Sequence, residues 1–319
     1  MEFTIGSAES GKKLHRWLRQ QLPGVPLSGI YKFIRTGRIK INGKKSKIDK
    51  ILQEGDNVTL FMAEEDYTTV KKRSRTVGVK EAKIEVIYES EDLLVVNKPV
   101  GVLVHDTPTE RSHTLVHQVR AYLDQTSSLN SEERFQPGPS NRLDRNTSGL
   151  VMFAKNNRTA QMLGEALKQH HLRKWYLALV QGEVPQFGVL TSALQRDQNG
   201  RKTRVVEGGK AAATSFIRRA TVGDTSIVQV ELISGRTHQI RAHFASIGNP
   251  LVGDMKYGGN GLHLTTHQWL HAGWLELPDG TIAHAPLSTE FQGFLRLVGY
   301  DLDKIESLTN LELPFADEW

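Results

Sequence analysis

One carboxylate near the middle of the chain lies between two basic residues. Asp144 is flanked by Arg142 and Arg145 in the segment Asn-Arg-Leu-Asp-Arg-Asn-Thr-Ser-Gly-Leu, which starts at residue 141. Neighbouring cations favour the ionised form of a carboxylate, which can then act as a nucleophile or a general base. By itself, however, Arg-Leu-Asp is more typical of an aspartate that caps a turn through backbone amides. The context of this segment therefore decides its interpretation.

Three other segments contain residues suited to chemistry. The sequence Asn-Lys-Pro-x-Gly-x-x-x-His occupies residues 97–105, and Lys174-x-Tyr176 follows the aspartate. Further on, Gly-Arg-Thr-His-Gln-Ile-Arg-x-His occupies residues 235–243 and continues to Gly-Asp-x-x-Tyr-Gly at 253–258. The two histidines of 235–243 lack a nearby acidic third ligand, and the chain has no cysteine. We therefore predict no metal site and interpret these histidines as packing or RNA-contacting residues.

The composition excludes several classes of protein. The 319 residues are 38% hydrophobic and 24% charged, as in ordinary globular proteins. No apolar run approaches the roughly 20 residues that span a bilayer, so we expect no membrane segment. The absence of cysteine excludes disulfides and thiol catalysis, and with no export signal at the N-terminus it favours the cytoplasm. No glycine-rich phosphate or dinucleotide loop is visible, so we expect no nucleotide cofactor.

The positive charge of the chain is concentrated at its N-terminus. Residues 1–80 contain 17 Lys and Arg against 8 Asp and Glu, whereas the rest of the chain contains 24 against 27. A basic region of this kind attracts phosphate backbones, although charge alone is equally compatible with a solvated basic surface.

The basic region has the pattern of a small folded module. Apolar residues at helical spacing predict a helix over 10–22, and a second helix is expected from Ser28 as N-cap to Gly37. Residues 38–41 alternate like a strand and lead into an Asn-Gly turn. The basic side chains expected to face outward and bind RNA are Arg16, Arg19, Lys32, Arg35, Arg38, Lys40, Lys44 and Lys45.

The stretch from Ser28 to Gly43, Ser-x-x-x-x-x-Ile-Arg-x-Gly-x-Ile-x-Ile-Asn-Gly, resembles the S4-like RNA-binding domain. That resemblance implies a small α/β module that binds RNA through its shape and backbone. We accordingly predict an S4-like domain over 1–62, a linker over 63–82, a catalytic domain over 83–300 and an acidic tail, solvated or loosely packed, over 301–319.

The larger part of the chain has the pattern of an α+β domain. Strands are expected at 84–87, 93–97, 149–154, 174–181, 211–218, 225–233 and 268–277, and helices at 112–124, 157–169, 237–247 and 288–298. Because strands dominate and do not alternate strictly with helices, a mixed, largely antiparallel sheet is favoured over a doubly wound one.

Taken in order, the segments around 97–105, 141–150, 174–176 and 235–258 resemble the RluA-like pseudouridine synthases. The resemblance implies that Asp144 is the catalytic carboxylate, which adds to the base or the sugar or removes the C2′ proton, and these routes stay open. It implies that Tyr176 stacks on the target base and assists removal of the C5 proton. Arg241 would pair with the aspartate, and Arg142 would fill the space of the extruded base. Relatives usually have histidine where this chain has Asn141.

This resemblance predicts an enzyme that isomerises uridine to pseudouridine in structured RNA. The favoured substrate is 23S ribosomal RNA, with transfer RNA as the next candidate. The isomerisation changes no oxidation state, so no cofactor is required, and nothing demands a protein partner or more than a monomer. His238 is expected to contact the RNA. Two alternatives are a non-catalytic RNA-binding or ribosome-assembly factor and an RNA methyltransferase, but the latter would require a glycine-rich loop that is not visible.

Overall fold

The computed structural model describes two compact units. The described residues are 1–22, 25–67, 82–107, 110, 113–126, 135–197, 202–262, 264–265, 267–301 and 310–311. The first unit is Met1–Lys80 and the second is Glu81–Trp319. No helix in this part of the chain combines the length and the apolar character needed to cross a membrane.

The first unit contains a four-stranded antiparallel sheet, and its longest described helices are α1 (Leu14–Gln21) and α2 (Leu27–Arg35). Its strands are β1 (Glu2–Thr4), β2 (Ile39–Ile41), β3 (Lys44–Lys45) and β4 (Asn57–Leu60). The strand order is β1-β4-β2-β3. Leu14, Trp17, Leu18, Ile30 and Ile34 form the helical part of its buried core, as the apolar spacing predicts.

Turn residues set the boundaries of these elements. Asn42 and Gly43 have φ values of 50° and 75°, which a two-residue hairpin turn requires. Gly37, with φ of 73°, follows the end of α2 as predicted. The expected N-cap at Ser28 is wrong, because Pro26 occupies that position and the helix begins at Leu27. Proline is favoured at helix starts, where its missing N–H leaves no bond unmade.

The first unit also extends past residue 62. Tyr67 is buried in its core, with its ring centroid 5.9 Å from that of Phe3. The Tyr67 hydroxyl donates a hydrogen bond to Oε1 of Gln21. The predicted linker therefore starts too early, and its residues 68–81 lie outside the described residues.

The second unit is built on one large mixed sheet. Its strands are β5 (Glu85–Glu89), β6 (Leu93–Lys98), β7 (Ser148–Ala154), β8 (Lys174–Gln181), β9 (Phe187–Arg196), β10 (Thr203–Val205), β11 (Lys210–Val222), β12 (Thr225–Leu232), β13 (Leu270–Glu276) and β14 (Ile282–His284). The order is β10-β9-β11-β12-β8-β13-β7-β6-β5, and β14 pairs with β13. The helices are α3 (Leu115–Gln125), α4 (Asn157–Lys168), α5 (Gln239–Ser246) and α6 (Thr289–Leu297). The predicted α+β class with a largely antiparallel sheet is confirmed, whereas β9, β10 and β14 were not predicted.

The pairing of β7 with β13 is parallel, unlike the other described strand pairs of this sheet. Gly149 has φ of 113°, and a Cβ there would lie 2.2 Å from the carbonyl oxygen of Ala272. Next to it, Oγ of Ser148 lies 2.9 Å from Nδ1 of the buried His271. Nε2 of His271 donates to the carbonyl oxygen of Ala285 at 2.9 Å. These contacts fix the start of β7, immediately after the loop that contains Asp144.

The C-terminal tail makes contacts with the second unit. Nη1 of Arg219 donates to the carbonyl oxygen of Asn310 at 2.9 Å, and Leu311 packs against the core near Tyr300. These two residues of the tail therefore contact the second unit. Residues 302–309 and 312–319 lie outside the described residues.

Candidate active site

The loop that contains Asp144 is held by the segment at the end of β6. The carbonyl oxygen of Arg145 accepts hydrogen bonds from Nζ of Lys98 and from the N–H of Gly101, both at 2.9 Å. Nζ of Lys98 also donates to the carbonyls of Pro99 and Val102 at 2.8 Å. Lys98 is completely buried, and this burial lowers its pKa to about 7. The Asn-Lys-Pro segment thus fixes the backbone one residue after the aspartate.

Asn141 fixes the other end of the same loop. Its Nδ2 donates to the carbonyl of Leu150 at 3.0 Å, and its Oδ1 accepts from the N–H of Met152 at 2.8 Å. The N–H of Ser140 bonds to the carbonyl of Met152 as well. The amide side chain therefore pairs with β7 as an additional peptide group would.

The carboxylate of Asp144 is bound by Arg241, as the sequence predicts. Nη1 of Arg241 donates to Oδ2 of Asp144 at 2.7 Å. The remaining edge of the guanidinium binds Asp254 through two bonds, from Nε at 2.7 Å and from Nη2 at 2.8 Å. The side chain of Asp254 is 1% exposed and that of Asp144 is 25% exposed. Arg241 is therefore a fixed bridge between a buried carboxylate and one that is open to solvent.

His238 lies on the other side of the Asp144 carboxylate. Its Nε2 is 3.7 Å from Oδ1, which is longer than a hydrogen bond. Its Nδ1 lies 2.9 Å from the hydroxyl of Tyr257, which itself accepts from the N–H of Thr203. We assign the Tyr257 hydroxyl as the donor and Nδ1 of His238 as the acceptor. The ring proton of His238 is then on Nε2, which faces Asp144. Burial lowers the pKa of His238 to about 4, and this histidine is therefore neutral at pH 7.

The backbone of His238 is in a sparsely populated conformation. Its φ of 53° and ψ of 25° are left-handed, and it directly precedes α5 as the N-cap. A non-glycine residue in this region stores strain, which proteins tolerate mainly at functional sites. The turn aims both His238 and, one helical turn later, Arg241 at the same carboxylate.

The opposite side of α5 is fixed by a buried polar network. Nε2 of Gln239 donates to Oγ1 of Thr214 at 2.8 Å, and Nδ1 of His243 lies 2.9 Å from the same oxygen. Nε2 of His243 lies 2.8 Å from Oγ of Ser192. His243 therefore packs α5 onto the sheet. In the described part of the chain, no three His, Asp or Glu side chains come together as a metal site would require.

The predicted catalytic residues line one cavity of about 460 Å³. Asp144 and Arg142 approach it from the loop, Tyr176 from β8, and Arg241 with His238 from α5. Tyr176 is buried, and burial together with the nearby Asp144 raises its pKa, so its phenol is neutral. The Asp144 carboxylate, a neutral phenol and a neutral imidazole thus surround a single space.

The other eight residues predicted to bind RNA belong to the first unit. Seven of them are exposed, and Lys40 is half-buried with its ammonium 5.2 Å from the ring centroid of Phe61. Among residues given no role from sequence, Lys98, Gln239 and Asp254 hold the site together. The sequence could have indicated these structural roles only through the position of the three residues within the segments 97–105 and 235–258, because their residue types alone did not.

Comparison with known proteins agrees with this geometry. Residues 92–246 match the family model described as RNA pseudouridylate synthase. An uncharacterized RNA pseudouridine synthase of Aquifex aeolicus is 34% identical over 263 residues, which cover 81% of this chain and 80% of that protein. The ribosomal large subunit pseudouridine synthase C of Escherichia coli is 34% identical over 264 residues, which cover 80% of this chain and 78% of its own.

A solved structure has the same fold. Human RNA pseudouridylate synthase domain containing 1 superposes with a TM-score of 0.55 at 25% identity, over 72% of this chain and 95% of its own. The chain belongs to the RNA pseudouridine synthase family, as its resemblance to the RluA-like enzymes predicted. It is therefore an enzyme that converts uridine to pseudouridine in RNA.

Proposed function

We propose that this enzyme modifies a uridine of 23S ribosomal RNA in the cytoplasm, as a monomer, with Asp144 as its catalytic carboxylate. The name of the Escherichia coli relative supports the choice of large-subunit RNA. The main support for a catalytic role of Asp144 is its position in the cavity. In the described lining of the cavity it is the sole acidic residue, it is partly open to solvent, and Arg241 binds one of its two oxygens.

The reaction sets the requirements for this site. The N1–C1′ bond breaks, the base turns, a C5–C1′ bond forms, the C5 proton leaves and N1 gains a proton. An ionised carboxylate can serve by attacking the base or the sugar, or by removing a proton from C2′. In each route Arg241 keeps Oδ2 of Asp144 in place, so the oxygen that faces His238 is the one available for chemistry.

Tyr176 and Arg142 complete the proposal. Burial raises the pKa of Tyr176, so its phenol is neutral; its ring is proposed to stack on the base while its hydroxyl assists removal of the C5 proton as a hydrogen-bonding group. Arg142 is exposed at the cavity and is proposed to fill the space that the extruded uridine leaves. Neither role requires a cofactor.

The first unit is proposed to bind RNA as an S4-like domain. Its exposed basic residues include Lys32 and Arg35, which line one groove with Tyr31 and Lys47. Such contacts to phosphates hold an RNA in register without reading its sequence. Removal of residues 1–62 should therefore weaken RNA binding and flatten its dependence on salt. Unchanged binding would refute the proposed role of this unit.

The test is a map of pseudouridine in total RNA by carbodiimide-dependent reverse-transcription stops. Four strains are compared: one with the intact gene, one without it, one with Asp144→Asn, and one with Asp279→Asn as a control at an exposed turn. A stop in 23S RNA should vanish in the deletion and in Asp144→Asn, and persist in the control. A stop that vanishes from transfer RNA instead would refute the substrate. A stop that survives Asp144→Asn would refute the catalytic role.

A further inference from the structure

Lys174 is a half-buried cation in the wall of the cavity. It is the first residue of β8 and lies two residues before Tyr176, so both side chains are on the same face of the strand. It lines the cavity together with Tyr176 and Asp144. Burial lowers the pKa of Lys174, and among the described residues no carboxylate or carbonyl oxygen binds its ammonium group.

The other buried cations at this site already have partners. Arg241 is bound to Asp144 and Asp254 through three hydrogen bonds. Lys98 donates to three carbonyl oxygens. The remaining basic residues of the lining, Arg142, Lys168 and Arg236, are exposed to solvent. Lys174 therefore differs from all of them in being partly removed from water without a compensating anion.

A cation in this position is unfavourable until an anion reaches it. Partial burial of an unpaired charge costs free energy, which a hydrogen-bonded counter-ion offsets. Lysine is well suited to phosphate, because its ammonium is a compact point charge with three donors. RNA supplies a phosphate on each side of every nucleotide, so a uridine placed between Asp144 and Tyr176 brings two phosphates to the cavity.

We propose that Lys174 binds a phosphate that flanks the target uridine and thereby positions the ribose over Asp144. This inference rests on the proposed reaction at Asp144, but it adds a phosphate site within the cavity. Lys174 and Tyr176 are on one face of β8. A phosphate bound to Lys174 therefore limits where the base of the same nucleotide can lie on the ring of Tyr176. The phosphate contact would therefore affect the rate of conversion as well as RNA binding.

The test uses the full-length enzyme and a synthetic stem-loop RNA that contains the uridine identified by the pseudouridine map. The variants are Lys174→Met, which keeps the length of the side chain, and Lys174→Arg, which keeps its charge. Lys83→Met is the control, because Lys83 is an exposed lysine of the same unit that does not line the cavity. Two further stem-loops replace the phosphate on either side of the uridine with an uncharged methylphosphonate. The single-turnover rate is measured for each pair, with the enzyme in excess over the RNA and below the concentration that saturates binding.

Lys174→Met should reduce the rate on the natural stem-loop by about 10- to 100-fold, the range for loss of a hydrogen bond to a charged group. One methylphosphonate should slow the wild-type enzyme and Lys83→Met by a similar factor, and should not slow Lys174→Met further. Lys174→Arg should recover part of the rate. This pattern identifies the phosphate that Lys174 binds.

Two results would overturn the proposal. The first is a wild-type rate for Lys174→Met. The second is a Lys174→Met variant that stays as sensitive as the wild type to both methylphosphonates. If Lys174→Met proves unfolded by circular dichroism, Lys174→Gln takes its place, because a neutral polar side chain should also lose the sensitivity to one methylphosphonate. Failure of the proposed function can be distinguished from failure of this inference. A wrong RNA target is revealed by the pseudouridine map of the wild-type strain, whereas a wrong role of Lys174 is revealed only by the rates of its variants.

Discussion

The buried pair between Arg241 and Asp254 can be tested by replacing Asp254 with asparagine, which keeps the shape of the side chain. The wild-type pair has two hydrogen bonds, of 2.7 and 2.8 Å, between side chains that are 8% and 1% exposed. Asparagine offers only one oxygen, so one Arg241 donor would face an amide NH₂ group. Breaking a buried ion pair on one side costs about 3–5 kcal/mol, and one retained bond places the expected loss near the lower value.

The same change should also impair the reaction. Arg241 would keep its bond to Asp144 but lose the anchor that fixes its own position. A displacement of about 1 Å at a reacting group can lower a rate by about 100-fold, and we expect a decrease of that order. The assays are urea unfolding of the full-length protein and the single-turnover rate of pseudouridine formation. Binding of RNA should change little, because the phosphate contacts lie elsewhere.

Glu231→Gln is the matched control for this experiment. Glu231 binds Arg173 through two bonds, of 2.7 and 2.9 Å, in the same unit, but it does not line the cavity. This pair is more exposed, so its loss should cost about 1 kcal/mol or less and leave the rate unchanged. A wild-type rate for Asp254→Asn, or an equal decrease for Glu231→Gln, would refute the reasoning that Asp254 fixes the catalytic pair through Arg241.

Three further changes probe the scaffold and the base-binding wall. Gly149→Ala should destabilise the protein by more than about 3 kcal/mol, because its Cβ would overlap the backbone of Ala272. Gly164→Ala, on an open helix face, should instead stabilise the protein by about 0.5–1 kcal/mol. Burial lowers the pKa of His271 to about 4 from 6.5, so the unfolded chain binds more protons between these values and stability should fall as pH decreases from 6.5 to 4. His271→Gln should remove about 3 kcal/mol of that fall. Tyr176→Phe should preserve RNA affinity and slow conversion, while Tyr176→Ala should weaken both.

Each of these expectations has a result that would contradict it. Equal stability of Gly149→Ala and Gly164→Ala in urea unfolding would show that the close approach of β7 and β13 is not required. An unaltered dependence of stability on pH in His271→Gln would show that this histidine is not the titrating group. Full activity of Tyr176→Phe would mean that the hydroxyl takes no part in the reaction, and full activity of Tyr176→Ala would exclude stacking.

The sequence by itself determined the class of the fold and the family of the protein. Apolar periodicity predicted most helices and strands, because the spacing of buried side chains follows the geometry of each element. Short strands such as β10 and β14 were not predicted, because they have few residues and depend on pairing with a neighbour. The ordered segments around Asp144, Tyr176 and Arg241 identified the family, since these residue types are needed wherever the chain places them.

The tertiary structure alone decided which side chains complete that site. Lys98 and Asp254 are charged residues that a sequence would assign to the surface, yet both are buried because three carbonyls bind the first and Arg241 binds the second. Asn141 bonds to Leu150 and Met152 on a part of β7 that β13 does not pair with, which the sequence could not show. Such roles depend on distances between residues far apart in the chain, and those distances arise only when the sheet brings β6, β7, β8 and α5 together.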